Sequence, residues 1–166
     1  MKIKIEKFHD PDFLFYFQLV NDEKVMEMIT ERAIELEEAK KDFYKLIDNN
    51  KLDINFGNFK IIREDTNEFI GLAKLEIQEI NSEEAELGYM LLPKYWGKGI
   101  ASLVGEKLIN IGKNHQSLKR IYAIIDPKNI PSRKILTTNG FISKEFKDFD
   151  GLPGEILELQ LQEKQD

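Results

Sequence analysis

A glycine turn directly before a helix is the feature of this sequence best suited to bind a ligand. Gly97 and Gly99 flank Lys98, and an amphipathic stretch begins after them. The first N–H groups of a helix have no partner within the helix, and the helix dipole makes that end positive. Glycine also lets a ligand approach the main chain closely. The turn therefore predicts an anion site, most naturally for phosphate, although an ordinary strand-to-helix connection also explains it.

Two well-known phosphate motifs fit this turn poorly. A Walker loop needs four residues between its glycines, followed by Lys and Ser or Thr, and the residues after Gly97 do not supply them. A dinucleotide fingerprint needs a third Gly or Ala where Ser102 stands, and it needs the turn close to the preceding strand. Residues 93–96 separate the two here.

The residue types that the chain lacks exclude other chemistry. The chain has no cysteine, which excludes disulfides, thiolate catalysis and cysteine-based metal sites. His9 and His115 lie far apart in the sequence, and no cluster of carboxylates marks a zinc site around either of them. We therefore expect no bound metal.

Hydrophobic periodicity predicts the elements that position the turn. Because a helix crosses between the strands predicted at 84–92 and 119–125, these two strands should be parallel. The order β-α-α-β-β-β-α-β-α-β-β predicts an α/β (α+β) fold with a mixed, largely antiparallel sheet and helices on both faces. The other predicted strands are 2–8, 55–63, 68–79, 141–147 and 155–161, the helices are 13–20, Val25 to Ile29, 34–48, 99–113 and 131–138, and 163–166 form a frayed tail.

Length and composition predict a single domain over residues 1–166. The net charge of −6 argues against a nucleic-acid-binding protein, which normally carries a basic face. No apolar stretch approaches the length of a membrane span, and the first residues lack the apolar core of a signal peptide. We expect a cytoplasmic protein without nucleic-acid or membrane partners, either a monomer or a homodimer.

Three motifs together resemble one known family. Residues 91–101 (LLPKYWGKGIA) are similar to the acyl-CoA pyrophosphate loop of the GNAT acetyltransferases, (Q/R)-x-x-G-x-(G/A). Residues 126–132 (DPKNIPS), followed by 139–141 (NGF), resemble that family's N-x-x-S and G-F segments. Residues 86–89 (ELGY) are similar to its RimJ/RimL-like branch. The resemblance is strong over residues 84–141, where the motifs occur in the right order around a β-α-β-α core.

The resemblance implies a GNAT acyl-CoA N-acyltransferase fold and an N-acetyltransferase that uses acetyl-CoA. It implies that strands 84–92 and 119–125 splay apart and hold the pantetheine arm between them. Backbone groups of Met90, Leu91 and Leu92 would bind the arm and the carbonyl oxygen, and Asn129 would bond a pantetheine amide. The pyrophosphate would lie on the amides of the turn, from Gly97, Lys98, Gly99, Ile100 and Ala101.

Two residues are candidates for the chemical step. Glu86 is the candidate base, acting through water, although a strand-edge carboxylate that faces solvent is the plainer interpretation. Leu136 stands where many relatives carry a tyrosine that protonates the leaving thiolate. The departure leaves Ser132 as the candidate donor to sulfur, or else as a hydroxyl that bonds local backbone at a helix start.

The acceptor and the activity each have alternatives. The family as a whole accepts protein N-termini, polyamines, amino acids and aminoglycosides, so the expected partner is a small-molecule or peptide amine. A second interpretation is a GNAT-like domain that binds acyl-CoA without turnover. It is suggested by Leu136, which replaces the usual tyrosine while the glycine turn is kept. A third is a protein-interaction domain without a cofactor.

Overall fold

The computed structural model describes residues 1–161, and the frayed tail predicted at 163–166 lies outside them. Single turns of 3-10 helix occur at Asp10–Asp12 and Pro93–Tyr95. The strands are β1 (Ile3–Lys7), β2 (Gly57–Arg63), β3 (Phe69–Glu76), β4 (Glu84–Leu91), β5 (Arg120–Ile125), β6 (Ile142–Phe149) and β7 (Leu152–Gln160). The α-helices are α1 (Phe13–Val20), α2 (Glu23–Met26), α3 (Leu36–Asn49), α4 (Ile100–Lys113) and α5 (Ile130–Thr138).

The seven strands form one sheet in the order β1-β2-β3-β4-β5-β7-β6. Every neighbouring pair is antiparallel except β4 and β5, which run parallel. The parallel pair follows from the crossover helix α4 between them, as the sequence predicts. The predicted mixed, largely antiparallel sheet is therefore confirmed.

Helices cover both faces of this sheet, and each face has its own apolar core. On one face, α4 and α5 pack against β3, β4 and β5. On the other, α1, α2 and α3 pack around Phe8 and Phe43, with edge-to-face rings. Because side chains on a strand alternate between faces, Leu87 and Leu91 of β4 belong to the first core while Met90 packs against the second. The prediction of helices on both faces is confirmed.

Helical spacing explains how α4 is fixed on the sheet. Ile100, Val104 and Leu108 recur every four residues, and each is at most 1% exposed. Because its first residue, Ile100, is anchored in the core, the helix presents its N-terminal end at a fixed place on the sheet. The preceding glycine turn is positioned in the same way.

Local differences from the sequence predictions lie at element ends. The second helix ends at Met26, so Ile29 lies in the following turn rather than in the helix. The helix predicted at 131–138 begins at Ile130 with Asn129 as its N-cap, and Pro131 lies in its first turn. Gly140 follows this helix with φ +92°, a left-handed conformation that commonly ends helices and that glycine adopts without strain. No helix within residues 1–161 is long and apolar enough to cross a membrane.

Candidate active site

The glycine turn has the backbone geometry that only glycine adopts without strain. Gly97 and Gly99 have φ of +71° and +78°, and Gly99 is the N-cap of α4. A Cβ built on either residue meets no atom within 4 Å, so the main chain faces open space there. The first N–H groups of α4 therefore begin beside an open region that could take an anion.

Side chains hold the segment before this turn in place. Tyr95 is buried, and its hydroxyl donates to Glu68 Oε2 at 2.7 Å, while Lys94 Nζ lies 3.7 Å from the same oxygen. The Trp96 indole Nε1 donates to the carbonyl oxygen of Leu91 at 2.8 Å. Tyr95 and Trp96 therefore fasten the loop to the ends of β3 and β4, which explains why aromatic residues precede the glycines.

The sheet opens between β4 and β5. These strands pair only where residues 84–86 face residues 120–122. Beyond that point β4 keeps its partner β3, and β5 keeps its partner β7. The edges of residues 87–91 and 123–125 therefore face each other across a gap, with main-chain groups available to a ligand.

The gap is part of a cleft of about 1170 Å³ that the glycine turn borders. Its volume is somewhat above the range of about 300–1,000 Å³ usual for ligand pockets, so it has room for a cofactor together with a second substrate. The cleft lining includes seven of the predicted cofactor residues, namely Met90, Leu91, Gly97, Gly99, Ile100, Ala101 and Asn129.

The other two predicted cofactor residues, Leu92 and Lys98, lie outside this lining. The Leu92 N–H donates to the carbonyl oxygen of Ile70 at 2.9 Å, and the Leu91 carbonyl is already bonded to Trp96. Met90 pairs with Leu72 of β3, and the Leu92–Ile70 bond belongs to the same ladder, so the main-chain groups of Met90 face β3. Because hydrogen-bonded pairs alternate along an antiparallel ladder, the main-chain groups of Tyr89 and Leu91 face the gap instead.

Both candidate catalytic residues line the cleft, but they approach it from opposite faces of the sheet. Glu86 and Tyr89 are three residues apart on β4, so their side chains point to opposite faces. The Tyr89 hydroxyl donates to Ser132 Oγ at 3.1 Å, which places Ser132 on the face opposite Glu86. The cleft thus passes through the opening in the sheet.

Glu86 lies among charged and polar side chains on its face. Lys74 Nζ is 3.0 Å from Glu86 Oε2. Glu76 is directly opposite Glu86 on β3, and its Oε2 accepts from Asn58 Nδ2 at 2.8 Å. Burial, with the nearby carboxylates of Glu86 and others, raises the pKa of Tyr122 on β5 to about 12. The carboxylates of Glu76 and Glu86 therefore give this face of the opening a negative character, which Lys74 offsets in part.

Ser132 is fixed in the first turn of α5. It is 9% exposed, and its backbone N–H donates to Asn129 Oδ1 at 3.2 Å. The following residue, Arg133, donates to the buried carboxylate of Glu155 on β7 and to the carbonyl oxygen of Pro127. Leu136, four residues after Ser132, is 2% exposed and presents only hydrocarbon.

Sequence reasoning did not single out Tyr89, Glu76 or Lys74 as site residues. The period-2 pattern does place Glu86 and Tyr89 on opposite faces, but the contact between Tyr89 and Ser132 joins a strand to a helix 43 residues away. The pairing of Glu76 with Glu86 depends on the register of a hairpin whose connection is too long to fix it. Within the described residues, no group of three or more His, Asp or Glu could hold a metal ion.

The fold and the site together define a class of α/β protein. In this class a pair of parallel strands separates part-way along, a glycine turn precedes the helix that connects the two strands, and a cleft passes through the opening between them. A family model described as an acetyltransferase (GNAT) domain matches residues 2–142, so the chain belongs to the GNAT family. The resemblance found in the sequence is thereby confirmed at the level of the family.

Comparison with individual proteins agrees with this family assignment. The chain is 32% identical to an uncharacterized N-acetyltransferase p20 of Bacillus licheniformis over 123 residues, 73% of this chain and 68% of that protein. Its fold is similar to that of RimL, a ribosomal L7/L12 α-N-protein acetyltransferase in complex with CoA, with a TM-score of 0.78, 16% identity, and 96% and 94% of the two chains covered.

The fold is also similar to that of spermidine N-acetyltransferase from Vibrio cholerae in complex with CoA and spermine. Here the TM-score is 0.75, the identity 18%, and the match covers 95% of each chain. The likeness to these two solved structures concerns the fold, since both sequences are distant.

Proposed function

We propose that this chain is an N-acetyltransferase that moves the acetyl group of acetyl-CoA to a primary amine by direct attack in a ternary complex. The observation that carries the proposal is the Gly97–Gly99 turn, with both residues at positive φ and open space beside them, at the mouth of the split between β4 and β5. The turn suits the pyrophosphate of CoA, and the extended gap in the sheet suits its pantetheine arm.

Acetyl-CoA would use main-chain groups for most of its contacts. Its pyrophosphate would accept from the amides of residues 97–101, where the dipole of α4 adds positive potential. Its pantetheine arm would lie along the open edge of β4, where Tyr89 and Leu91 present their main-chain groups, as an additional extended segment in the sheet. Asn129, which caps α5 and lines the cleft, would meet the arm from the β5 side.

The reacting groups would meet at the opening in the sheet. The acceptor amine must lose a proton before attack, and Glu86, on the face covered by α1–α3, would take it through water. The leaving sulfur needs a hydrogen-bond donor, and Ser132 would supply it from the opposite face. Acetyl-CoA, the acetyl donor, and the acceptor amine would thus enter from opposite sides of the sheet.

The acceptor would be a cationic amine, either a small molecule or the N-terminus of a peptide. The carboxylates of Glu76 and Glu86 on the acceptor side attract an ammonium group. Val25, Met28 and Ile29 add an apolar wall to the same part of the cleft. One similar structure contains spermine, which supports a small-molecule acceptor. Another is described as a ribosomal L7/L12 α-N-protein acetyltransferase, which supports a peptide N-terminus as acceptor and the RimJ/RimL-like branch.

A second candidate function is binding of acyl-CoA without turnover. Two observations favour it: Leu136 presents no hydroxyl to the cleft, and Lys74 already occupies the carboxylate of Glu86. Formation of any acetylated amine by the wild-type protein would exclude this alternative. Spermine, an aminoglycoside and a short peptide with a free N-terminus form a suitable first panel of acceptors.

The first experiment measures the melting temperature with and without acetyl-CoA. A ligand at about 100 times its dissociation constant adds about 2.7 kcal/mol, equivalent to a rise of about 5–10 °C for a domain of this size. Gly97→Glu places a carboxylate at the anion site and should abolish the rise. Gly151→Glu is the matched control, because Gly151 also has positive φ and open space but lies outside the cleft lining. Absence of a rise in the wild-type protein would overturn the proposal.

A further inference from the structure

We propose that Tyr89 orients the hydroxyl of Ser132 toward the sulfur of CoA, so that the two residues form a short chain of hydrogen-bond donors. Tyr89 is then a positioning residue, because it acts on the sulfur through Ser132. The inference rests on the proposed function, since it assumes that CoA occupies the cleft.

The geometry of the pair carries the inference. Tyr89 extends from β4 and Ser132 from the first turn of α5, and their oxygens lie 3.1 Å apart with Tyr89 as the donor. Both residues line the cleft. Each is held by its own element: Tyr89 packs against the apolar core of that face, and Asn129 accepts from the backbone N–H of Ser132.

The number of hydrogen bonds that the Ser132 hydroxyl can form determines which further contact it can make. A serine hydroxyl carries one proton to donate and can accept two hydrogen bonds. Because Tyr89 fills one acceptor position, the proton of Ser132 is free to point at another acceptor in the cleft. A thiolate leaving group is such an acceptor, and a donor that itself accepts a hydrogen bond is polarised and donates more strongly.

The phenol stays protonated throughout this cycle. Burial raises the pKa of Tyr89 above its ordinary value. In the transfer itself, the new bond joins the amine nitrogen to the acetyl carbon, and the electrons of the broken carbon–sulfur bond go to sulfur. The nitrogen gives up its proton through water to Glu86, and no covalent bond to Tyr89 or Ser132 forms or breaks.

The surroundings of the pair explain why a tyrosine on β4 is needed. Leu136 lies one helical turn after Ser132 on α5 and therefore on the same face of that helix. It is buried hydrocarbon and cannot donate. The Tyr89 phenol thus brings to this face the polar group that α5 itself does not provide beside Ser132.

The test compares the binding of CoA with that of desulfo-CoA, which lacks only the sulfur, by calorimetry at about pH 9. The wild-type protein should bind CoA about tenfold more tightly, the value of one hydrogen bond to a charged acceptor. Tyr89→Phe and Ser132→Ala should each remove most of this preference while leaving the affinity for desulfo-CoA within about twofold. In the Ser132→Ala background, Tyr89→Phe should have no further effect, because the two residues act as one unit.

Controls separate this inference from the proposed function. Tyr44→Phe removes a hydroxyl from an exposed tyrosine outside the cleft lining and should leave the preference intact. If the wild-type protein binds neither CoA nor desulfo-CoA, the proposed function is overturned together with this inference. Tight but equal binding of both ligands by the wild-type protein would leave cofactor binding standing and overturn the donor chain.

A preference lost in Ser132→Ala but fully retained in Tyr89→Phe would also overturn the role of Tyr89. If Tyr89→Phe lowers the melting temperature too far for calorimetry, Ser132→Ala still tests the chain, because equal preference in that variant and the wild type excludes donation to sulfur.

Discussion

The ammonium group of Lys74 lies 3.0 Å from a carboxylate oxygen of Glu86, and the lysine side chain passes close over Gly88, which has no side chain of its own. Lys74 pairs directly with Gly88 across β3 and β4, and a Cβ at Gly88 would be 3.2 Å from Lys74 Cε. The lysine can therefore lie across the glycine and reach Glu86 diagonally. The carboxylate proposed to receive the acceptor's proton already binds one amine of the chain itself.

Replacement of Glu86 tests whether this carboxylate acts in the chemical step. Glu86→Gln should lower kcat about 100-fold, the lower end of general-base contributions, with the KM for acetyl-CoA little changed. Loss of the half-buried pair with Lys74 should cost at most about 1 kcal/mol, so the fold should persist. Steady-state kinetics with the best acceptor of the panel measure the effect.

The matched control is Glu84→Gln. Glu84 lies two residues before Glu86 on the same face of β4, pairs with Arg120 and lies outside the cleft lining. Equal kcat values for Glu86→Gln and Glu84→Gln would contradict a role for Glu86 as the base.

Trp96 tests how the loop is positioned. Trp96→Phe keeps an aromatic ring but removes the Nε1 donor to the Leu91 carbonyl. One lost hydrogen bond between the loop and β4 should weaken acetyl-CoA binding about 3- to 10-fold. Calorimetric titration measures the affinity, and the melting temperature without ligand shows whether the fold is kept. An unchanged dissociation constant would show that this contact does not organise the loop.

The sequence predicts the elements well because their signals are local. Alternating apolar residues in β1, the four-residue spacing in α4 and the glycine after α5 each depend on near neighbours. The split between β4 and β5 follows only from the family resemblance, since nothing in the periodicity of either strand shows that their pairing stops after Glu86. The contacts of Ser132 with Tyr89 and of Arg133 with Glu155 depend on how α5 packs on the sheet, which no local pattern reports.

Two glycines of α4 should respond in opposite ways to replacement by alanine. A Cβ at Gly112 would be 2.6 Å from Ile121 Cδ1 and 3.1 Å from Leu118 Cδ2, so Gly112→Ala should destabilise the fold by about 1–3 kcal/mol. At Gly105 the nearest atom, Ile135 Cγ2, is 3.4 Å away, and Gly105→Ala should stabilise the helix by about 0.5–1 kcal/mol. Urea unfolding of both variants checks the signs, and equal effects would contradict the close packing of α4 on β5.

The ion pair between Arg133 and Glu155 should make stability depend on pH in a distinctive way. Glu155 is 2% exposed, so Arg133→Met leaves a buried carboxylate without its charged partner and should cost about 3 kcal/mol near neutral pH. Arg133→Met combined with Glu155→Met should recover much of that loss, because no buried charge remains. The double variant also shows whether the methionine at 133 is harmful by itself.

The sign of the pH effect follows from the pKa of Glu155. Burial acts to raise this pKa, but hydrogen bonds from Arg133 and Ser143 outweigh it, and the pKa lies below its ordinary value. In the wild type the stabilisation is therefore present above the ordinary glutamate pKa and is lost as the pH falls through the lowered value. In Arg133→Met burial dominates, so the pKa rises above the ordinary value, and protonation on acidification relieves the cost of the buried charge.

Both changes reduce the difference in unfolding free energy between the wild type and Arg133→Met as the pH falls. Urea unfolding at pH 7, 5.5 and 4 measures this difference, and pairwise subtraction removes the contributions of the other carboxylates, which the two proteins share. A difference that stays constant or grows toward pH 4 would mean that the charge of Glu155 does not anchor α5. Ser132, in the first turn of that helix, would then owe its position to apolar packing and to the Asn129 cap.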